Sequence, residues 1–321
     1  MARLKRPRSG LRGGGGGDDP PSGEFFDHQS GAPAPARGPR RRAPQRREPR
    51  ERRERRGPRS DLSARVLAAI PGILFATLIV AGGGWFFVVG LLFLGVVCMH
   101  ELYTMMARAR PVSLAGFISL AGLLVAALLG DQVQVMIVLV ASVPLTFFLA
   151  IVRKRREDVS WGIAATMLGI VWIGLALAHA VLLRELPHGG ALVLDVLIGT
   201  FIGDTCAYLG GRAYGRRPLA PRISPNKTVE GLIAGILGGT LGFWLFAFSY
   251  QDWFSGTDAL LIGLFVALAA PIGDLFESLI KRDLGVKDTG RFFGAHGGAL
   301  DRLDAIFFTA VVGYYASAAL L

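Results

Sequence analysis

Nine stretches of about twenty mostly apolar residues alternate with short polar connections between residue 61 and the C-terminus. A helix of that length can cross the roughly 30 Å hydrocarbon core of a bilayer. The pattern therefore predicts an all-α polytopic membrane protein with about nine transmembrane helices. The predicted spans are residues 64–81, 85–106, 112–130, 132–152, 161–183, 190–211, 229–250, 258–280 and 305–321.

Residues 1–60 contain no such stretch and are rich in arginine, glycine and proline. This composition predicts a disordered cytoplasmic tail in front of a membrane domain at residues 61–321. Since about sixty polar residues precede the first apolar stretch, we expect no cleavable secretion signal. The tail has a net charge of +10, from 17 Lys/Arg and 7 Asp/Glu, out of +11 for the whole chain. The basic charge thus belongs to the tail, which favours contact with anionic lipid headgroups and argues against nucleic-acid binding.

The overall composition agrees with the span pattern. Hydrophobic residues make up 52% of the chain and charged residues only 18%, which is too apolar for an ordinary soluble domain. Two cysteines, Cys98 and Cys206, allow at most one bridge, so no disulfide framework is expected.

Basic residues in the connections predict the orientation of the spans. If the tail is cytoplasmic, the cytoplasmic connections carry 16 of the 18 Lys/Arg outside the tail. Arg65 lies beside the tail, and Arg184 alone falls on the far side. This distribution follows the positive-inside rule. We therefore expect a protein of the cell membrane with a cytoplasmic N-terminus and active site, and with its C-terminus outside.

Acidic residues interrupt the predicted spans in the second half of the chain. Asp204 lies about two turns from the end of the sixth span. In the eighth span, Asp274, Glu277, Ser278 and Lys281 are spaced i, i+3, i+4 and i+7, so they share one helix face. Because a charged side chain near the bilayer centre costs about 2.5 to 3.5 kcal/mol, such residues usually have a function.

Two further carboxylates, Asp301 and Asp304, stand at i and i+3 just before the ninth span. Together with Asp274 they would gather at one membrane face, where repulsion favours a bound cation. Carboxylates without a Cys or His cluster select Mg²⁺, and Asp204 could support this site or hold a second cation. The alternative is that these carboxylates simply form ion pairs with Lys281, Arg282 and Arg302.

The connection after the sixth span groups basic and hydroxyl side chains. Ser224-Pro225 is typical of a turn that begins a helix, and Lys227 and Thr228 follow with backbone N–H groups able to meet an anion. The alternative is that the basic residues only obey the positive-inside rule. Basic groups and a carboxylate-held metal beside the lipid headgroups suggest phosphate transfer that involves a lipid phosphate. The chain has neither a G-x-x-x-x-G-K-[ST] loop nor a G-x-G-x-x-G motif, so P-loop or Rossmann binding of the phosphates is not expected.

One ungapped pattern near the C-terminus resembles the C-terminal motif of the phosphatidate cytidylyltransferase (CDP-diacylglycerol synthase) family. It reads Ser278-x-Ile280-Lys281-Arg282-x4-Lys287-Asp288-x-Gly290-x2-Phe293-Gly294-x-His296-Gly297-Gly298-Ala299-x-Asp301-Arg302-Leu303-Asp304. The stretches Gly203-Asp204-x2-Ala207-Tyr208 and Ser224-Pro225-x-Lys227-Thr228-x-Glu230-Gly231 are also similar to that family. Ala299 departs from the family, which usually has a larger aliphatic residue there.

The resemblance implies that phosphatidate attacks the α-phosphorus of CTP, which releases pyrophosphate and forms CDP-diacylglycerol. It implies metal ligands and catalytic residues at these positions: Asp274, Asp301 and Asp304 for Mg²⁺, with Lys281 and Arg302 also catalytic. It further implies substrate-binding residues, which are Asp204, Tyr208, Arg212, Ser224, Lys227, Thr228, Glu230, Ser278, Arg282, Lys287, Asp288, His296, Gly297 and Gly298. His296 by itself is more typical of a turn residue than of a ligand or base.

Other functions remain open at this point. One is a related CTP-dependent enzyme that acts on another lipid, and another is a cation-coupled transporter. An enzyme that consumes CDP-diacylglycerol would be expected to show a D-G-x2-A-R motif, which the chain lacks. The family and the glycines Gly235, Gly238, Gly239 and Gly242 suggest a homodimer, although such glycines also serve packing within one chain.

Overall fold

A computed structural model describes residues 72–153, 158–290 and 297–321. The predicted tail, the beginning of the first predicted span and His296 lie outside these described residues.

Helices dominate the described part of the chain, and one helix overlaps each predicted span. They are α1 Gly72–Gly82, α2 Gly84–Met105, α3 Ser113–Leu129, α4 Gln132–Ile151, α5 Val159–Glu185, α6 Gly189–Tyr214, α7 Val229–Tyr250, α8 Gly256–Asp283 and α9 Leu300–Leu320. A short 3₁₀ helix, Ala107–Ala109, follows α2, and α5 contains a π-helical segment, Ile170–Gly174. Seven of the helices are long and apolar enough to cross a bilayer, whereas α1 and α3 are shorter. The predicted class, an all-α polytopic membrane protein, is confirmed.

A small β-hairpin follows α6, where the sequence indicated a helix start. Strand β1, Pro218–Ala220, pairs antiparallel with β2, Ser224–Thr228. Ser224 and Pro225 therefore lie in a strand and not in the predicted turn at a helix start, whereas α7 begins at Val229, the first residue of the seventh predicted span. Proline disfavours helical geometry in the residue before it, whereas Thr228 is a good N-cap. The Thr228 hydroxyl accepts a hydrogen bond from the Gly231 backbone N–H at 3.1 Å.

Helices α6 and α7 pack closely because small residues face each other at four-residue spacing. Gly199, Gly203 and Ala207 of α6 meet Gly235 and Gly239 of α7. A Cβ atom at Gly239 would lie 3.0 Å from the Gly199 carbonyl oxygen, and one at Gly235 would lie 2.9 Å from the Ala207 Cβ. The two backbones can approach this closely only without larger side chains.

Gly238 and Gly242, the other two glycines that suggested a homodimer, pack in the same way. A Cβ at Gly238 would meet the Cys206 side chain, and one at Gly242 would meet Ile202, both on α6. The four glycines of α7 thus serve packing within one chain, and the homodimer stays a prediction that they do not support.

Aromatic side chains join the first half of the bundle to the second. Trp172 of α5 makes edge contacts with Phe276 of α8 and Phe307 of α9, with ring centroids 4.8 and 6.2 Å apart. Trp172 and Phe307 are buried, and Phe276 is partly buried against the same core. These contacts fix α8 and α9, which carry most of the predicted site, against α5.

Candidate active site

Three helices bring carboxylates to one end of the bundle. Asp204 lies in the second half of α6, Asp274 in the second half of α8, and Asp304 near the start of α9. The three side chains are close enough for their charges to interact. Lys227 of strand β2 forms an ion pair with Asp274, and these two side chains are 26% and 37% exposed. The hairpin thus supplies a cation to a cluster of carboxylates that remains open to ligands.

A second, more buried group of charges surrounds Lys281. Its ammonium lies 2.6 Å from Glu277 Oε2, one helical turn away, and 2.8 Å from Asp301 Oδ1 of α9. The side chains of Lys281, Glu277 and Asp301 are 14%, 2% and 13% exposed. Because a buried charge is costly without its partner, each of these three residues depends on the other two.

Asp301 is held from several directions. Besides the Lys281 ammonium at Oδ1, its Oδ2 accepts hydrogen bonds from the Thr289 N–H at 3.0 Å and the Gly298 N–H at 2.9 Å. Both N–H groups belong to the connection between α8 and α9. As predicted, Asp301 lies in the first turn of α9. Its three donors leave about one of the four acceptor positions of a carboxylate for another ligand.

The two glycines predicted to bind substrate are adjacent to Asp301. Gly297 has φ +90°, a conformation that side chains rarely adopt, and a Cβ there would lie 3.1 Å from Asp301 Oδ2. A Cβ at Gly298 would lie 2.2 Å from the Thr289 hydroxyl. Only glycine fits both positions, and their role in substrate binding stays a prediction.

Two predicted substrate-binding residues fasten the hairpin. Glu230 Oε2, in the first turn of α7, accepts hydrogen bonds from the backbone N–H groups of Arg216 and Arg217 at 3.0 and 3.2 Å. Arg282 Nε, at the end of α8, donates to the Ile223 carbonyl at 3.1 Å. These bonds hold β1, β2 and their turn against the helices, so that Lys227 reaches Asp274.

The other predicted residues lie around these two groups. Arg212 donates to the Tyr208 hydroxyl at 3.3 Å on an exposed face of α6. Ser224 and Ser278 are half-buried. Lys287, Asp288 and Arg302 are exposed, the first two in the connection and the last at the start of α9.

Three residues in contact with the site were not among the predicted site residues. They are Glu277, Thr289 and Glu101, of which Glu101 lies in α2. Glu101 is 7% exposed, and its Oε2 accepts hydrogen bonds from the Thr289 hydroxyl and the Leu300 N–H. A signal existed, because Glu101 is an acidic residue inside an apolar span, the same feature that singled out Asp204 and Asp274.

The donor chemistry of this end fits a magnesium ion that is shared with a substrate. Among the described residues, no group of three or more His, Cys, Asp or Glu side chains could hold a metal ion alone. Mg²⁺, however, commonly takes one or two carboxylates and fills its other positions with water and substrate phosphates. Asp274 and Asp304, with Asp204 beside them, provide such oxygens.

The chain is similar to known cytidylyltransferases. The model of the cytidylyltransferase family matches residues 63–320. A phosphatidate cytidylyltransferase of Synechocystis is 30% identical over 286 residues, which cover 78% of this chain and 94% of the relative. A phosphatidate cytidylyltransferase of Aquifex aeolicus is 39% identical over 140 residues, 44% of this chain and 51% of the relative.

A third relative, from Escherichia coli, bears the name "Uncharacterized protein YnbB". It is 39% identical over 158 residues, which cover 48% of this chain and 53% of the relative. The chain thus spans about half the length of the Escherichia coli and Aquifex relatives.

Proposed function

Because this chain belongs to the cytidylyltransferase family, we propose that it transfers the cytidylyl group of CTP to phosphatidate. A phosphate oxygen of phosphatidate attacks the α-phosphorus of CTP, the bond from that phosphorus to the β-phosphate bridge breaks, and pyrophosphate leaves. The product is CDP-diacylglycerol. CTP and phosphatidate are accordingly the proposed substrates.

The position of Lys281 is the observation that carries the proposal. Two of the three N–H donors of its ammonium bind Glu277 and Asp301, and we propose that the third binds a phosphate oxygen. A cation that is already oriented needs little reorganisation when negative charge develops on the leaving pyrophosphate. Lys227, which forms an ion pair with Asp274 at the open cluster, is the second proposed phosphate ligand.

We propose that Asp274, Asp301 and Asp304 hold Mg²⁺, with Asp204 beside them for support or for a second cation. When bound, the ion would neutralise phosphate charge and act as a Lewis acid on the phosphoryl oxygens. Asp274 and Asp304 have more free acceptor positions than Asp301, whose oxygens already accept three hydrogen bonds. Asp301 therefore contributes at least as much by orienting Lys281.

A strong general base is unnecessary in this reaction. The phosphate of phosphatidate is already anionic near neutral pH, so the protein gains most by aligning the two substrates and neutralising their charges. The charged residues at this end of the bundle suit that task. The hydroxyls of Ser224 and Ser278 are the proposed uncharged phosphate ligands.

The test is a product assay with purified protein in mixed micelles of phosphatidate and detergent. Labelled CTP is added with and without Mg²⁺, beside an Asp301→Asn variant whose folding is checked by its melting temperature. Magnesium-dependent CDP-diacylglycerol from the wild type, and at least a hundredfold less from the variant, is the expected result. A folded wild type that makes no product contradicts the proposal, and other lipid phosphates would then replace phosphatidate in the same assay.

We also propose that the protein lies in the cell membrane with its N-terminus and active site on the cytoplasmic side. The distribution of basic residues supports this orientation. Nine crossing helices, or the seven long ones alone, both place the C-terminus outside. A reporter fused to Leu321 that is active in the cytoplasm would contradict the proposal.

A further inference from the structure

Glu101, in α2, contacts the connection between α8 and α9 and the first residue of α9. Its Oε2 accepts a hydrogen bond from the Leu300 N–H at 3.0 Å and one from the Thr289 hydroxyl at 3.3 Å. The sequence separations are 199 and 188 residues. A buried carboxylate from the first half of the chain therefore holds a segment that carries the C-terminal motif.

The residues that contact Glu101 also contact Asp301. Thr289 directs its hydroxyl to Glu101 and its N–H to Asp301 Oδ2. Gly298, whose N–H also donates to Asp301, lies so near Glu101 that an added Cβ would be 2.4 Å from Oε2. Asp301 in turn holds Lys281. Hydrogen bonds therefore run without interruption from Glu101 through Thr289 and Asp301 to Lys281.

Glu101 also completes the first turn of α9. The N-cap residue, Ala299, provides no side-chain hydrogen bond, so the first N–H groups of the helix need other acceptors. Glu101 accepts one of them, from Leu300, and a negative charge near a helix N-terminus is favourable. Since Asp301 is the next residue, this contact fixes where Asp301 enters the site.

The backbone of the connection fits closely around this carboxylate. A Cβ at Gly290 would lie 2.3 Å from Glu101 Oε1. Gly290 and Gly298 therefore leave the space that the glutamate occupies.

We propose that Glu101 is a positioning residue for the transfer reaction. It anchors Thr289 and the start of α9, and through them it orients Asp301 and Lys281 toward the substrate phosphates. This inference rests on the proposed function and assigns a catalytic contribution to a helix outside the C-terminal motif.

The test compares Glu101 with a second buried carboxylate far from the site. Asp195 of α6 is 0% exposed and accepts hydrogen bonds from Gln251 and Tyr250. The variants Glu101→Ala, Glu101→Gln, Asp195→Ala and Asp195→Asn are purified as full chains. For each, CDP-diacylglycerol formation gives kcat and the KM for CTP, and mass spectrometry follows amide hydrogen exchange in residues 286–304.

Glu101→Ala is expected to lower kcat by tenfold to a hundredfold with KM for CTP within threefold, and to speed exchange in residues 286–304. Glu101→Gln, which keeps an acceptor oxygen, should lose only threefold to tenfold in kcat. It also serves as the decisive variant if the alanine variant does not fold. The Asp195 variants should keep kcat within threefold and leave exchange in residues 286–304 unchanged.

Thr289→Val removes the hydroxyl but keeps the N–H that binds Asp301. If Glu101 acts through Thr289, this change should lower kcat in the wild type and have no further effect beside Glu101→Ala. Equal kcat in the matched Glu101 and Asp195 variants, or unchanged exchange in Glu101→Ala, would overturn the inference. A wild type without activity would instead refute the proposed function, so the two failures are distinguishable.

Discussion

Helix α6 carries one carboxylate in each half, and their surroundings differ. Near the start, Asp195 is fully buried, and among the described residues its hydrogen-bond donors are neutral groups, the Gln251 amide at 2.8 and 3.0 Å and the Tyr250 hydroxyl at 3.1 Å. In the second half, Asp204 interacts with the charges of Asp274 and Lys227, and Asp274 is 37% exposed. The first arrangement is buried and has neutral donors, whereas the second is partly exposed and charged.

This difference separates packing from chemistry within one membrane protein. A buried carboxylate with neutral donors fixes helices, and it is neither open to a substrate nor accompanied by a cation. Carboxylates and lysines that share an open site can exchange their partners for phosphates and a metal ion. Four changes test the distinction, in order of decreasing expected effect.

Removing the central cation should have the largest effect. In Lys281→Met, Glu277 and Asp301 lose their shared partner, and we expect kcat to fall about 10²- to 10³-fold, as when one preorganised transition-state donor is removed. The melting temperature should also fall, because buried carboxylates are left unpaired. The measurement is product formation by folded protein in mixed micelles. Less than a tenfold loss of kcat would mean that the charged residues around Lys281 are structural, like those around Asp195.

Disturbing the contact between α6 and α7 should affect the surroundings of both Asp195 and Asp204. In Gly235→Leu, the side chain meets Ala207 and the Gly203 carbonyl, and overpacking of this kind costs about 1 to 3 kcal/mol. We expect a lower melting temperature and parallel loss of activity. Gly72→Leu is the matched control, since no described residue lies within 4 Å of a Cβ there. Equal melting temperatures for the two variants would contradict close α6–α7 packing.

Replacing Lys227, the partly exposed cation of the hairpin, should act on substrate binding more than on folding. For Lys227→Gln we expect the KM for CTP to rise about tenfold, which corresponds to about 1.4 kcal/mol. The melting temperature should change little, because partly exposed ion pairs contribute little to stability. Steady-state kinetics at varied CTP concentration measure the effect. An unchanged KM together with a lower melting temperature would assign Lys227 to the fold.

The smallest effect on activity is expected at Asp195, the buried carboxylate of α6. Asp195→Asn keeps one acceptor oxygen for Gln251 and Tyr250, so we expect a stability loss of about 1 kcal/mol and kcat within threefold of the wild type. Thermal unfolding and turnover of the same preparation give both values. A kcat reduced tenfold or more would show that the two ends of α6 are coupled.

The sequence predicted the helices well because a span leaves a long and regular pattern. The fifth span, expected at residues 161–183, is Val159–Glu185. On α8, Glu277 and Lys281 share one helix face, as their spacing predicted. The hairpin was missed, since strands of three and five residues in a polar connection leave no clear periodicity. Proline at position 225 was interpreted as a helix start, although Thr228 provides the cap.

Within the site, the sequence predicted the identity of the residues better than the contacts between them. Lys281 and Asp301 were both singled out, but their ion pair joins two helices and follows from no local spacing. Glu101 was missed because its partners are almost two hundred residues away, and an isolated acidic residue has no motif around it. Contacts of this range depend on how the helices assemble.

The bond between Glu101 and Leu300 also sets an order of events during biosynthesis. At 5 to 20 residues per second, the ribosome needs about 10 to 40 s to extend the chain by the 199 residues between them. During that interval α2 has already been made and its carboxylate still lacks the Leu300 N–H. The newly made protein therefore gains the complete polar network around Glu101 only after α9 has been synthesised.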